Sequence, residues 1–144
     1  MPEKQKKEKV IDHHKIGRSS KAKGAAGERE LAKKLNELLG IDSIRGRQFC
    51  GSAGNPDVIL QKKAGEERLN IPGLHIECKR VEQLNLYKAL KQSESDAKPD
   101  EIPVVCHRRN QDTWIISFRL DKLKDVAKWV QSLEELDNGE SGNS

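Results

Sequence analysis

The chain has 144 residues, 35% of them charged and only 3% aromatic, with 27 Lys and Arg against 23 Asp and Glu. That length fits one domain with a modest, mostly aliphatic core. No apolar run is long enough to cross a bilayer and no signal-peptide core follows the charged start, so no membrane role and a cytoplasmic location are expected.

The charge is unevenly placed. Residues 1–23 hold eight Lys/Arg against three acids, and residues 134–144 hold four acids and no Lys or Arg. Both ends read as arms without fixed structure, which leaves a folded domain over residues 24–133. A basic arm can lie along a phosphate backbone, though a solvated terminus has the same composition. Cys50, Cys78 and Cys106 are odd in number and form no disulfide-like pattern, so reduced thiols are expected. A zinc site from Cys50, His75, Cys78, Cys106 and His107 lacks any Cys-x-x-Cys pair and is not expected.

A helix is predicted from Gly24 to Leu39, stopped by Gly40. Its apolar stripe is Ala25, Leu31, Ala32, Leu35, Leu38 and Leu39. Glu28 falls on that stripe, while Glu30, Lys33, Lys34 and Glu37 read as ordinary surface. A carboxylate on an inward face is costly unless it is paired or near a metal. A first strand follows from Ile44 to Phe49, with Arg45 and Arg47 on one face. Residues 50–55 are a small-residue loop that could close over a substrate.

The Asn55-Pro56-Asp57-Val58 stretch comes next. Pro56 suits a strand start and puts Asp57 at the mouth of a strand running to Leu60. Gln61 to Pro72 is a polar hairpin turning near Lys63-Ala64-Gly65. The strand from Leu74 to Lys79 then alternates. Leu74, Ile76 and Cys78 face one way; His75, Glu77 and Lys79 face the other. Glu77 and Lys79 are therefore roughly 7 Å apart on one face. If the two strands pair, Asp57 and Glu77 converge on one point. Two carboxylates with open positions suit Mg²⁺, with Mn²⁺ as the alternative. Such an ion binds a scissile phosphate and lowers the pKa of a bound water, and Lys79 is placed to hold that water or the developing charge.

A helix from Leu84 to Ala97 carries a stripe at Leu86, Ala89, Leu90 and Ser93. Ile102 to Cys106 is nearly all apolar, as in a strand covered on both faces. Arg108 to Asp112 turns into a strand from Trp114 to Phe118. Asp121 is expected to cap a last helix striped by Leu123, Val126, Ala127, Val130 and Leu133, with Trp129 beside the stripe. The order is helix, three strands, helix, two strands, helix. That is an α/β fold: a mixed central sheet of about five strands flanked by helices, with the strands around the middle helix parallel.

Pro56-Asp57, an apolar strand, and Glu77-Cys78-Lys79 at the end of the next strand resemble the signature of the PD-(D/E)XK nuclease superfamily. Glu28, within Gly27-Glu28-Arg29-Glu30, stands where that superfamily often adds a glutamate. The wider run from Gly24 to Leu133 is similar to archaeal-type and phage Holliday junction resolvases. The resemblance implies a restriction-endonuclease-like fold and a Mg²⁺-dependent structure-selective DNA endonuclease. It implies metal ligation by Asp57, Glu77 and the backbone carbonyl of Cys78. Glu28, Lys79 and Ser52 would complete the catalytic set, Ser52 because these resolvases carry a functional serine in the corresponding loop. Arg45, Arg47, Arg80, Arg108 and Arg109 are the expected DNA contacts. The resemblance also implies a homodimer acting on four-way DNA junctions in a bacterial, archaeal or phage-infected cell. The sequence leaves open a nuclease for flaps, nicks or duplex, a non-enzymatic DNA-binding module, and an RNA nuclease, for which no recognition signature is visible.

Overall fold

The structure is a computed structural model. It describes the backbone of residues 13–46 and 54–141 and the side chains of residues 23–46 and 54–136. Residues 1–12, Arg47, Ser52 and Cys50, about which the sequence made specific suggestions, lie outside the described residues.

Helix α1 spans His13–Leu39. It begins eleven residues before the predicted start, because an apolar stripe shows only where a helix packs, whereas a nucleated helix extends cheaply through a polar segment. Gly40 ends it at φ +64, and the Gly40 N–H donates to the Asn36 carbonyl at 2.9 Å. Leu31 and Ala32 are buried and Leu35 packs partly against the core, but Leu38, expected on the same stripe, is exposed.

Five strands form the main sheet: β1 Ile44–Arg45, β2 Val58–Ile59, β5 Leu74–Arg80, β6 Ile102–Arg108 and β7 Ile115–Ser117, in the order β1-β2-β5-β6-β7. β3 (Gln61–Ala64) and β4 (Glu67–Asn70) form a separate antiparallel hairpin that turns at Gly65, as the polar connection suggested. The pair β5 and β6 is parallel, joined by α2 (Leu86–Asp96), and the other pairs are antiparallel. This is the expected mixed sheet, and it fits a restriction-endonuclease-like fold.

The sheet is covered on both faces. One face packs Val58, Leu60, Ile76, Val104 and Cys106 against Leu31 and Ala32 of α1. The other packs Val105 against Ala89 and Leu90 of α2. The alternation of β6 between these two clusters explains its unbroken apolar run. Asn85 caps α2, accepting from the Lys88 N–H at 3.1 Å.

The C-terminal part differs from expectation. Leu120–Lys122 form a 3-10 turn ahead of α3 (Leu123–Ser141), so Asp121 sits inside that turn rather than capping the helix. The helix also runs past Leu136, into the acidic stretch read as a structureless tail. Of its predicted stripe, Leu123 and Val130 are exposed. The main anchor is Trp129 instead. Its indole N–H donates to the Pro72 carbonyl at 3.0 Å, and its ring fills the space beside Gly73, where φ is +118 and a Cβ would lie 2.5 Å from the ring. Among the described residues, no helix is long and apolar enough to cross a membrane.

Candidate active site

Asp57 is fixed by its backbone on both sides. The Gly46 N–H donates to the Asp57 carbonyl at 2.8 Å, and the Asp57 N–H donates to the Ile76 carbonyl at 2.9 Å. Gly46 permits this because a Cβ there would overlap the Pro56 carbonyl. The antiparallel register that pairs Val58 with Ile76 sets Asp57 opposite Glu77. The Asp57 carboxylate then accepts a hydrogen bond at Oδ2 from the Cys78 N–H, at 2.9 Å.

Asp57 and Glu77 meet in a cavity of about 400 Å³, lined also by Lys23, Gly27, Glu28, Lys79, Arg80 and Gln92. Glu77 is buried, at 3% exposure. Burial raises the Asp57 pKa from 3.8 to about 7, and the negative charges of Glu77 and Glu28 push it the same way, against the lowering effect of the Cys78 N–H. Hard oxygen donors crowded at the base of an open cavity are the donor set that a divalent cation satisfies.

Glu28 reaches the same cavity from α1 and pairs with Arg45, whose Nε donates to its Oε2 at 2.5 Å. Lys79 Nζ donates to Gln92 Oε1 on α2 at 3.3 Å, which holds the amine at the cavity wall. Arg80 lies beside it, with Nη1 at 3.5 Å from Glu30 Oε2. Gly27 lets α1 approach this strand end, since a Cβ there would be 3.2 Å from Arg80 Cβ. Asp57, Glu77, Lys79, Glu28, Arg45 and Arg80 are therefore brought together, as are the Cys78 backbone groups.

Arg108 points elsewhere. Its Nε donates to Glu30 at 2.5 Å, its guanidinium stacks 5.7 Å from the Trp114 ring centroid, and it lines a second cavity with Lys33, Lys34 and Asp112. Glu30, read as ordinary surface, is thus the partner of two arginines, and its pKa is lowered, chiefly by the hydrogen bond from Arg108. Arg109 is exposed in the turn after β6.

Three residues form a group the sequence did not single out. His75, Glu77 and Asp96 each place one ligand atom within 4.8 Å of the others. His75 was weighed only as a partner of cysteines. Burial holds the thiols of Cys78 and Cys106 in the protonated form, that of Cys106 with a pKa of about 12, which suits core packing rather than ligation. The signal for His75 was its place two residues before Glu77 on one strand face; nothing in the sequence tied Asp96 to them.

No family model matches the chain, and no curated protein matches it. Among solved structures it is similar to that of Hjc from Archaeoglobus fulgidus, a Holliday junction resolvase from an archaeal hyperthermophile. The two share 20% identity with a TM-score of 0.45, over 65% of this chain and 74% of that one.

Proposed function

We propose that the chain is a metal-dependent endonuclease that hydrolyses phosphodiester bonds in DNA. The observation that carries this reading is the meeting of Asp57 and Glu77 at the base of an open cavity with Lys79 on its wall. Asp57, Glu77 and the Cys78 carbonyl would hold Mg²⁺ or Mn²⁺. When bound, the ion would offset charge on a scissile phosphate and lower the pKa of its water. Lys79 would orient that water or meet the charge developing on the phosphate. Its hydrogen bond to Gln92 sets the direction of the amine. Glu28 holds Arg45 and would add its negative charge beside Asp57 to the cation's surroundings. Arg80 and Lys23, at the rim, receive flanking phosphates. In the same reading Ser52 would join the catalytic set, and Arg47 and Arg109 would add phosphate contacts. Arg108 contributes less, because Glu30 already engages it.

The finer reading is a homodimer that cuts two opposed strands of a four-way junction. The described residues of one chain form one such cradle, so paired incisions would need two copies. Junction specificity rests on the sequence resemblance. Incubating the chain with labelled DNA in Mg²⁺ and in a chelator tests the general activity. Cleavage that needs the cation and is lost in Glu77→Gln supports the proposal; cation-independent cleavage, or full cleavage by Glu77→Gln, would falsify it.

A further inference from the structure

Glu77 faces two sets of neighbours. Asp57 is one. The other is His75 and Asp96, on the side where β5 meets the end of α2. His75 is fully buried, at 0% exposure, and neither ring nitrogen has a hydrogen-bond partner. Buried imidazole nitrogens are normally satisfied, so two open ones on one ring ask for a missing group. The ring lies between carboxylates: Nε2 is 3.6 Å from Glu77 Oε1 and Nδ1 is 3.8 Å from Glu101 Oε1. Both distances are too long for hydrogen bonds.

We propose that His75, Glu77 and Asp96 form a second cation site, for a divalent transition metal of the Zn²⁺ type, adjoining the cradle and sharing Glu77 with it. The donor set is one imidazole nitrogen and two carboxylates. An imidazole favours Zn²⁺ and its neighbours over Mg²⁺, which prefers all-oxygen shells and keeps its waters. The Nε2 side faces Glu77, so Nε2 is the ligating atom. Nδ1 then directs its N–H toward Glu101, the carboxylate–histidine–metal arrangement that fixes a ligand's tautomer. Glu101 is itself held, accepting from the Lys98 N–H at 2.8 Å. Asp96 is the last residue of α2, where the negative end of the helix dipole also favours a cation. An ion here joins β5 to the C-terminal end of α2. Because Glu77 is common to both places, its occupancy is felt at the cradle.

This inference does not rest on the nuclease reading, and its test does not use cleavage. The full chain is titrated with Zn²⁺ in excess Mg²⁺, following uptake calorimetrically and the zinc shell by X-ray absorption. We expect Zn²⁺ bound to one imidazole and oxygen donors, without sulfur. His75→Gln loses this uptake, Asp96→Asn and Glu101→Gln weaken it roughly tenfold or more, and Asp57→Asn retains it. Should His75→Gln fail to fold, Asp96→Asn, at the half-buried helix end, decides alone. Uptake that is unchanged in the histidine and Asp96 variants, a sulfur-containing shell, or no uptake by the natural chain overturns the proposal.

Discussion

The Cys78 N–H donates to Asp57 Oδ2 at 2.9 Å, which ties the strand carrying Glu77 and Lys79 directly to the Asp57 carboxylate. This bond fixes the orientation of the Asp57 carboxylate. In the proposed nuclease, Asp57→Asn keeps the backbone contacts and the shape but removes the charge. DNA binding is expected to survive, and cleavage to vanish.

The raised pKa of Asp57 predicts a pH dependence of stability. The folded chain holds the Asp57 proton up to about pH 7, against an ordinary value of 3.8. This contribution to stability is whole below pH 3.8 and is lost as the pH rises through about 7. Denaturant unfolding in a chelator should therefore show the natural chain losing stability from pH 4 to pH 8, with a much flatter profile in Asp57→Asn. Divalent cation at pH 8 should restore stability to the natural chain, and its affinity should fall roughly tenfold for each pH unit below about 7. Parallel pH profiles for the two chains would contradict the assigned burial of this carboxyl.

Lys79 is predicted to act in the chemical step rather than in binding. Lys79→Met should slow cleavage by roughly 100-fold or more, the scale for losing one donor to developing charge. Its DNA affinity should stay close to that of the natural chain. Gln92→Leu, which frees the amine, should slow cleavage by a smaller factor. A Lys79→Met chain with normal turnover and weak binding would make the lysine a simple phosphate contact.

Arg108 and Arg109 adjoin in sequence but should separate in experiment. Arg108→Gln breaks the Glu30 pair and the Trp114 stack and should lower the unfolding midpoint. Arg109→Gln should leave stability unchanged while weakening DNA binding and reducing its log–log salt slope by about 0.9. Equal effects of the two on affinity, with no loss of stability, would reverse the assignment of Arg108.

Gly73→Ala tests how α3 is held. A methyl group there meets the Trp129 ring, and the backbone is at φ +118. A loss of about 2 kcal/mol or more is expected in urea unfolding, from strain and displaced packing together. Trp129→Ala should also destabilise, by removing the indole contacts and the hydrogen bond to Pro72.

Much of the site was legible because it is written in strand periodicity. Pro56 marks a strand entry, and the alternation from Leu74 to Lys79 places Glu77 and Lys79 on one side; the observed register then sets Asp57 opposite Glu77. Glu28 was legible because a carboxylate on an apolar stripe demands a reason. What stayed hidden depends on packing between distant segments. Glu30 and Arg108 are 78 residues apart, and only the fold joins them. The alternation set His75 beside Glu77, but not that α2 would seal that face and bring Asp96 to it. The helical start at His13 carries no apolar stripe, and the contact of Trp129 with Gly73 depends on a missing side chain. Arg47 and Ser52 lie outside the described residues, so their roles remain proposals.

The central claim, a cation-dependent DNA-cutting centre at Asp57 and Glu77, is tested most directly by one assay. A labelled four-way junction and a linear duplex of the same sequence are incubated with the chain in Mg²⁺, beside Asp57→Asn. Paired, symmetric cuts are expected in the junction, none in the duplex, and none by the variant. Cutting of both substrates by the natural chain would keep the nuclease and remove its junction selectivity. Tight cation-independent binding without any cleavage, or equal cleavage by Asp57→Asn, would contradict the claim.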